Sequence, residues 1–415
     1  MHIAILGRQP ALGTAELERI YGQNSVKLLS SQIAQIETDS LDVRDLGGTL
    51  KAGVITETIN GHDWRNVSQK IIQNYFDKWS SHSGKITLGI SVYGYNLNPR
   101  EVQKLGITLK QRLKKSGVSL RLIPNTDIAL STATSHHNKL GLSDNKVELL
   151  IVRSNNNQTI VAMSTGAQNI TAYALRDQMR PKRDAFVGML PPKLAQIMIN
   201  LAVGQMGVGK RGMGNGKSKL AIATPQFPIA QPPNPIRVLD PFCGTGVILQ
   251  EAALMGHAVY GTDLAEKMIS YSRENLKWLA DSHHVSIDSE LQVGDAMKHK
   301  WQPPIDAVAT ETYLGQPFSA PPSPAKLAEV QKTCDLIITS FLKNIGSQIK
   351  PNTPLCIAVP AWRDKNGDFT HLPLIETIGK LGYKRHEFKN VSQNELLYYR
   401  ESQVVARELL VLIKT

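Results

Sequence analysis

The chain has 415 residues, of which 41% are hydrophobic and 20% are charged, and its mean hydropathy is −0.20. At ~100–200 residues per domain, this length predicts two or three domains with hydrophobic cores of their own. Lys and Arg outnumber Asp and Glu by 47 to 35, and the net charge of +12 is compatible with a polyanionic partner or with a solubilising surface alone. Three scattered cysteines argue against a disulfide framework and against a zinc site.

The sequence shows no pattern of a membrane span or of a secretory signal. No window approaches the ~18 consecutive apolar residues of a membrane span, and the first ten residues have a short apolar run without a basic segment. The histidine pairs His136-His137 and His283-His284 are adjacent, unlike metal ligands on one helix face. We therefore expect a cytoplasmic protein without a membrane anchor or a bound metal.

The first part of the chain alternates short apolar runs with helical stripes, which predicts a small α+β region. The predicted strands are Ile3–Leu6, Val54–Ile59, Lys85–Tyr93, Val118–Ile123, Val147–Arg153 and Thr159–Thr165. The predicted helices are Gly13–Tyr21 with Thr14 as its N-cap, Trp64–Trp79, and the basic amphipathic Asn98–Ser116.

One compositional break follows, from Gly204 to Pro235, where the sequence is first rich in Gly and Lys and then rich in Pro. Such a segment buries too little apolar surface to offset its ordering entropy, so it predicts a flexible basic insertion. It can contact RNA, but the composition favours a plain linker or loop.

Downstream of the break the pattern becomes a regular β-α-β-α series. The predicted strands are Ile236–Asp240, Ala258–Asp263, Leu291–Gly294, Ile305–Thr310, Leu355–Pro360, Tyr383–Phe388 and Ala406–Ile413. Strands separated by helices predict parallel pairing and a doubly wound sheet of the Rossmann-like type. The last two strands are expected to form an antiparallel edge.

The stretch from Arg237 to Leu249 is the most informative in the sequence. A strand ends at Asp240, and the turn Pro241-Phe242-Cys243-Gly244-Thr245-Gly246 opens directly into a helix. Gly244 and Gly246 allow a sharp turn and close approach of a ligand, and ligands of doubly wound sheets lie beside such turns. The spacing is not G-x-G-x-x-G and lacks a Walker lysine, which disfavours a nicotinamide cofactor and a P-loop phosphate site.

Two further acids end the neighbouring strands. Asp263 is placed to accept hydrogen bonds from both hydroxyls of a ribose, and Asp295 is placed to meet an adenine edge. Each acid alone is also a candidate helix N-cap. That explanation is weaker for three acids that each end one of three successive strands. Three acids in register suit a cofactor with a ribose, an amine and no phosphate, and that cofactor is S-adenosylmethionine. We predict that it is held by Asp240, Phe242, Gly244, Gly246, Asp263 and Asp295.

At this point a family resemblance becomes specific. Residues 240–246 resemble motif I of class I methyltransferases that modify exocyclic amines, and the stretches 176–184 and 188–198 resemble the lead-in of the THUMP-containing tRNA guanosine-10 N2-methyltransferase family. The start of the chain (6–10 and 15–18) and the segment 129–152 are also similar to that family. The resemblance thus covers most of the chain except the Gly204–Pro235 insertion.

The resemblance implies tRNA as a partner and five parts in chain order. They are a ferredoxin-like domain (1–60), a THUMP-like RNA-binding domain (61–168), a connecting segment (169–203), the insertion (204–235) and a Rossmann-like methyltransferase domain (236–415). It also gives the basic helix a role, since phosphates would be contacted by Arg100, Lys104, Lys110, Arg112, Lys114 and Lys115. A solvated helix face explains the same charges equally well.

The acceptor site is expected after the fourth strand of the methyltransferase domain. Related enzymes carry Asp/Asn-Pro-Pro-Tyr/Phe there, which orients the amine and stabilises the charge that it acquires. In this chain the stretch reads Glu311-Thr312-Tyr313-Leu314, so Glu311 takes the acid position, and Tyr313 offers a stacking ring from a shifted position. Both prolines, which would fix the backbone, are missing.

Three hypotheses follow from these observations. The leading one is a tRNA methyltransferase that uses S-adenosylmethionine, with guanine N2 as the acceptor and Glu311 and Tyr313 as catalytic residues. The alternatives are a DNA amino-methyltransferase, and an RNA-binding protein that keeps the fold but has altered or lost chemistry at Glu311. A protein partner subunit, the oligomeric state and mono- versus dimethylation are not indicated by the sequence.

Overall fold

The computed structural model describes residues 1–184, 190–207 and 236–415. The helices are α1 (Pro10–Tyr21), α2 (Trp64–Trp79), α3 (Pro99–Lys115), α4 (Thr132–His137), α5 (Ile170–Gln178), α6 (Pro192–Val203), α7 (Val247–Leu254), α8 (Glu266–His283) and α9 (Pro324–Gly346). The strands are β1 (His2–Leu6), β2 (Val26–Ser30), β3 (Ile33–Ile36), β4 (Thr49–Asn60), β5 (Lys85–Tyr93), β6 (Ser119–Leu122), β7 (Lys146–Ser154), β8 (Gln158–Ala167), β9 (Arg237–Asp240), β10 (Ala258–Asp263), β11 (Ser289–Val293), β12 (Ala307–Glu311), β13 (Pro354–Arg363), β14 (Phe369–Thr370), β15 (Tyr383–Arg385), β16 (Leu397–Tyr398) and β17 (Val405–Lys414).

The chain divides into two compact units. The first comprises Met1–Thr14 and Asn24–Ala172, and the second comprises Ala15–Gln23 and Tyr173–Thr415. The division falls within α1. In the described parts of the chain, no helix is long and apolar enough to cross a membrane.

The first unit is built on an eight-stranded sheet of order β2-β3-β1-β4-β8-β7-β5-β6. The long strand β4 pairs with β1 on one side and with β8 on the other. It thereby joins strands from both predicted N-terminal domains, 1–60 and 61–168, in one sheet. The division of this region into a ferredoxin-like and a THUMP-like domain stays a prediction.

Two helices of the first unit, α2 and α3, have bounds that local sequence signals explain. The apolar stripe of α2 is buried through Val67, Ile71 and Tyr75, and the helix has the bounds that its periodicity predicts. The helix α3 begins at Pro99, because Asn98 and Glu101 form a reciprocal capping box at its N-terminus.

The helix α1, by contrast, begins earlier than expected. It starts at Pro10 rather than Gly13, and Thr14 lies buried inside the helix. The predicted N-cap at Thr14 is therefore wrong. Pro10 occupies the first helical position, where its fixed φ favours the helix and its missing N–H costs nothing.

The second unit carries a sheet of order β11-β10-β9-β12-β13-β17-β15. Strands β9 to β13 pair in parallel, so their carboxyl ends meet at one edge of the sheet. The predicted doubly wound sheet is confirmed. The expected antiparallel edge is also present: β17 pairs antiparallel with β15, which ends the sheet, and antiparallel with β13 on its other side. The apolar run from Leu409 to Ile413 suits the interior position of β17, because an interior strand is covered on both faces.

A helix before the insertion and a piece of α1 complete this unit. The helix α6 is buried along its length, and Arg19 of α1 donates to the carbonyls of Leu201 and Ala202 at its C-terminal end (2.8 and 3.1 Å). Gly204–Gly207 forms a short 3-10 turn. The rest of the predicted flexible insertion lies outside the described residues.

Candidate active site

The Gly-rich turn joins β9 to α7 at the carboxyl edge of the sheet. Gly244 and Gly246 have positive φ values of 51° and 82°, which glycine adopts without a steric penalty. A Cβ on Gly246 would lie 2.8 Å from the Ser272 hydroxyl oxygen. The turn thus requires glycine at position 246 for conformation and for space.

Two polar side chains of α8 hold this turn from the side. The Ser272 hydroxyl donates to the Gly244 carbonyl (2.8 Å), and the Asn275 amide donates to the Thr245 carbonyl (2.8 Å). Asn275 also exchanges hydrogen bonds with the backbone of Lys182, in the stretch that resembles a family lead-in. Sequence reasoning missed both residues, because a single Ser or Asn in a helix carries no signal of what it will face.

The three predicted acids share one local geometry. Each accepts, through one carboxylate oxygen, the backbone N–H two residues further on: Phe242 for Asp240, Ala265 for Asp263 and Met297 for Asp295 (3.2, 2.9 and 3.0 Å). This is the Asx turn that short acidic side chains favour. The acids therefore shape the loops that follow their strands, and a local structural role coexists with the predicted binding role.

Asp240 is the most deeply placed of the three. Its carboxylate also accepts a hydrogen bond from the Thr310 hydroxyl on the neighbouring strand β12 (2.6 Å). The pKa of Asp240 is raised to about 7, mainly by burial and to a smaller degree by the charges of Asp263 and Glu311, against the lowering effect of these hydrogen bonds. Asp240 thus couples the Gly-rich turn to the strand that carries Glu311.

Asp263 bridges the second strand and the Gly-rich turn. One oxygen of its carboxylate accepts from the Gly244 N–H (3.0 Å), while the other serves the Asx turn. Burial raises the pKa of this carboxyl above its usual value. Each ionised oxygen has a second lone pair, so the pair of oxygens can still accept from two vicinal hydroxyls.

Apolar side chains lie exposed directly after two of the acids. Leu264, next to Asp263, is 73% exposed, and Met297, two residues after Asp295, is 40% exposed. The backbone brings these loops together, because the Gly294 N–H donates to the Asp263 carbonyl (2.9 Å). Carboxylates beside exposed apolar groups fit an adenosine, whose ribose is polar and whose base has apolar faces. The residues present therefore fit the predicted cofactor.

Phe242 has a different environment from the other predicted cofactor residues. Its half-buried ring packs edge-on against Phe341 of α9, with 5.3 Å between ring centroids. Much of the side chain thus belongs to the core, and the ring anchors the Gly-rich turn to α9.

The predicted acceptor acid ends the fourth strand and is paired. Both carboxylate oxygens of Glu311 accept hydrogen bonds from Arg407 of β17, from Nε at 2.6 Å and from Nη2 at 3.3 Å. Sequence reasoning missed Arg407, which lies 96 residues further along the chain. The carboxylate and the guanidinium are both largely but not fully shielded from solvent.

The loop after Glu311 is fixed without proline. The backbone N–H and the hydroxyl of Thr312 both donate to the Ala358 carbonyl of β13 (3.0 and 2.9 Å). Tyr313, the next residue, is 44% exposed, so its ring is free to contact a ligand from solution. Two hydrogen bonds thus restrain the backbone where related enzymes use the rigidity of two prolines.

The six predicted RNA-contacting cations lie on α3 of the first unit and are all exposed. Arg112 donates to the Gln73 side chain of α2 (3.0 Å). In the parts of the chain that the structure describes, no group of three or more His, Cys, Asp or Glu residues is arranged to hold a metal ion.

Sheet order, turn and comparison with a family model define the class of this domain. Residues 234–401 match the model described as "Methyltransferase domain". The order of the sheet, with an antiparallel last strand inserted beside the fifth, is that of class I methyltransferases. The cofactor of this class is S-adenosylmethionine.

Individual relatives of the chain have more specific names than the family model. The chain is 29% identical over 190 residues to the tRNA (guanine(10)-N2)-dimethyltransferase of Methanothermobacter thermautotrophicus (45% of this chain, 44% of the relative), and 32% identical over 166 residues to that of Pyrococcus abyssi (37% and 44%). The chain thus spans less than half the length of these curated relatives. The solved structure of TrmN from Thermus thermophilus has a TM-score of 0.50 at 14% identity, covering 100% of this chain and 99% of that one, which shows a shared fold. The predicted resemblance to tRNA guanine-N2 methyltransferases is confirmed.

Proposed function

We propose that this protein is an S-adenosylmethionine-dependent tRNA methyltransferase that modifies the exocyclic N2 of a guanine. The observation that carries the proposal is the placement of Glu311 at the strand edge that also holds the Gly-rich turn and Asp263. A cofactor site and a carboxylate for an amine acceptor thereby share one edge of the sheet. The two curated relatives, whose names state this activity, support the same substrate.

The cofactor, when bound, supplies an electrophilic methyl group. The Asp263 carboxylate would accept hydrogen bonds from the ribose hydroxyls, and Asp295 would meet the adenine edge beside Met297. Asp240 and the two glycines would keep the turn open for the methionine portion. These residues bind and orient the methyl donor and leave the acceptor to the next strand.

Glu311 would accept a hydrogen bond from the guanine amine and stabilise the positive charge that develops on its nitrogen. The exposed ring of Tyr313 would stack on the base, a contact worth ~1–3 kcal/mol. A carboxylate and a stacking ring hold the amine in line with the methyl donor, which is positioning catalysis.

The remaining parts of the proposal concern the RNA. The first unit would act as the ferredoxin-like and THUMP-like region that carries tRNA, with the cations of α3 on its phosphates. Phosphate contacts position the RNA but do not read its sequence. The proposed location is the cytoplasm, where tRNA is modified.

The test is methyl transfer by the purified full-length chain. Isotope-labelled S-adenosylmethionine is supplied with bulk tRNA, and the nucleosides are resolved by mass spectrometry. The expected product is N2-methylated guanosine. The variant Asp263→Ala is expected to lose cofactor binding. The control Glu329→Gln, at an exposed position of α9, is expected to keep both cofactor binding and methyl transfer.

Two other outcomes would favour the alternative functions. Label that enters duplex DNA but not tRNA at equal salt would replace the proposal with a DNA amino-methyltransferase. Tight cofactor binding without transfer to either nucleic acid would favour an RNA-binding protein that has kept the fold and lost the chemistry.

A further inference from the structure

Glu311 reaches Arg407 across an intervening strand. The sheet order places β13 between β12 and β17, and neighbouring strands lie ~4.8 Å apart, so the two backbones are roughly 10 Å from one another. Glu311 pairs with Ala358 of β13, while Arg407 pairs with Pro360, the next β13 residue on the same face. The small side chain of Ala358 leaves room for the acid to pass over it.

The contact is a side-on fork in which each nitrogen serves one carboxylate oxygen. Such bidentate geometry fixes the plane and the direction of a carboxylate as well as its charge. Glutamate has three rotatable side-chain bonds, so Glu311 without Arg407 would sample several orientations. In the fork, the second lone pair of each oxygen remains available to a substrate.

Building on the proposed function, we infer that Arg407 is a positioning residue that holds the Glu311 carboxylate in the direction required to receive the acceptor amine. This assigns a reason to the departure of this chain from the family pattern. An aspartate at position 311 is one methylene shorter and falls short of Arg407, whereas glutamate spans the gap. The acid length and the arginine form one device that orients the carboxylate, while the Thr312 hydrogen bonds restrain the backbone that two prolines fix in related enzymes.

The test compares kinetics with binding in the full-length chain. Arg407→Gln is expected to lower kcat for methyl transfer to tRNA by ~10–100-fold, because misplacement of a reacting group by about 1 Å can cost ~100-fold. The Kd for S-adenosylmethionine is expected to stay within about twofold of wild type, because the cofactor residues are untouched. Glu311→Asp is expected to lose about as much kcat as Arg407→Gln, and Arg407→Lys less, since lysine keeps the charge but not the fork.

Two further variants separate positioning from folding. The double variant Glu311→Gln/Arg407→Gln leaves no unpaired buried charge, and its kcat is expected to be no lower than that of Glu311→Gln alone. Arg237→Gln removes an Arg–Glu pair with Glu290 near the amino-terminal ends of β9 and β11, away from the carboxyl ends that carry Glu311. This control is expected to change thermal stability and to leave kcat unchanged.

The outcomes are distinguishable. Wild-type kcat in Arg407→Gln, full activity in Glu311→Asp, or additive losses in the double variant would overturn the inference and leave the proposed function standing. A wild-type chain that binds S-adenosylmethionine but transfers no methyl group to tRNA would overturn the proposed function, and the inference with it.

Discussion

Asp240 is deeply buried and lies between the Gly-rich turn and the strand that carries Glu311. Its pKa in the folded protein is about 7, mainly because of burial, whereas its ordinary value is 3.8. The folded state therefore binds more protons than the unfolded chain between about pH 4 and pH 7. In this window the contribution of Asp240 to stability falls as the pH rises, by at most ~1.4 kcal/mol per pH unit, and the loss is complete above pH 7.

We expect Asp240→Asn to remove this dependence. The asparagine carbonyl can still accept from Thr310 and Phe242, so the melting temperature of the variant should exceed that of wild type above pH 7 and approach it near pH 4. Thermal unfolding across pH 4–8 measures the difference. Asp281→Asn, an exposed position on α8, is the control, and a difference between Asp240→Asn and wild type that stays constant with pH would contradict the assignment.

At the scale of single residues, the sequence predicts groups that lie next to a recognisable turn. The acids Asp240, Asp263 and Asp295 follow strands whose ends are visible in the sequence, so their shared edge could be derived. Arg407 could not be found this way, because only the order of the strands, which the local sequence does not reveal, brings its partner close to it. The roles of these residues in binding and catalysis stay predictions.

The helix α3 presents its cations on the solvent side. Its apolar stripe, including Val102, Leu105 and Leu109, is buried against the sheet of the first unit. If the exposed face binds tRNA, each neutralised phosphate contributes ~0.7–0.9 to the slope of log K against log salt concentration. A solvated face without RNA contacts contributes nothing to this slope.

We expect the fourfold variant with Gln at Lys104, Lys110, Lys114 and Lys115 to bind tRNA more weakly and with a slope shallower by roughly 2–4. Fluorescence anisotropy with labelled tRNA at several salt concentrations measures both quantities. A control with Gln at the exposed Lys277, Lys332, Lys343 and Lys350 of the second unit removes the same charge. The control is expected to keep the wild-type slope, and a wild-type slope in the α3 variant would show that α3 does not contact the RNA.

At the scale of elements, strong periodicity and caps were sufficient to place α2 and α3. The hairpin of β2 and β3 was not predicted, because its short strands alternate weakly between apolar and polar residues. The helix α1 starts three residues before its predicted start at Gly13, because proline is favoured at the first helical position. Local signals therefore fix long elements, whereas short strands depend on the neighbours that they pair with.

At the scale of the whole molecule, the chain order of domains differs from the spatial grouping. The sequence predicts a methyltransferase domain at 236–415, but the second unit also includes Ala15–Gln23 and Tyr173–Val203. Nothing in the local sequence of α1 indicates that Glu18 contacts residues 371 and 372 positions further along the chain. Long-range grouping of this kind is decided by tertiary burial, which periodicity alone does not reveal.

Glu18 shows how strongly the N-terminal piece is tied into the second unit. Its buried carboxylate accepts from the backbone N–H groups of Lys389 and Asn390 and from the Asn390 amide (2.7, 2.8 and 2.7 Å). In Glu18→Gln the new amide group faces an N–H donor, so one donor is left unsatisfied at a cost of about 1–3 kcal/mol. We expect a melting temperature lower by ~2–4 °C for each kcal/mol, as measured by differential scanning calorimetry. Glu274→Gln, which removes an exposed pair with Lys182, should change stability by less than ~0.5 kcal/mol, and an equally small effect of Glu18→Gln would show that residues 15–23 are not part of the cooperative unit.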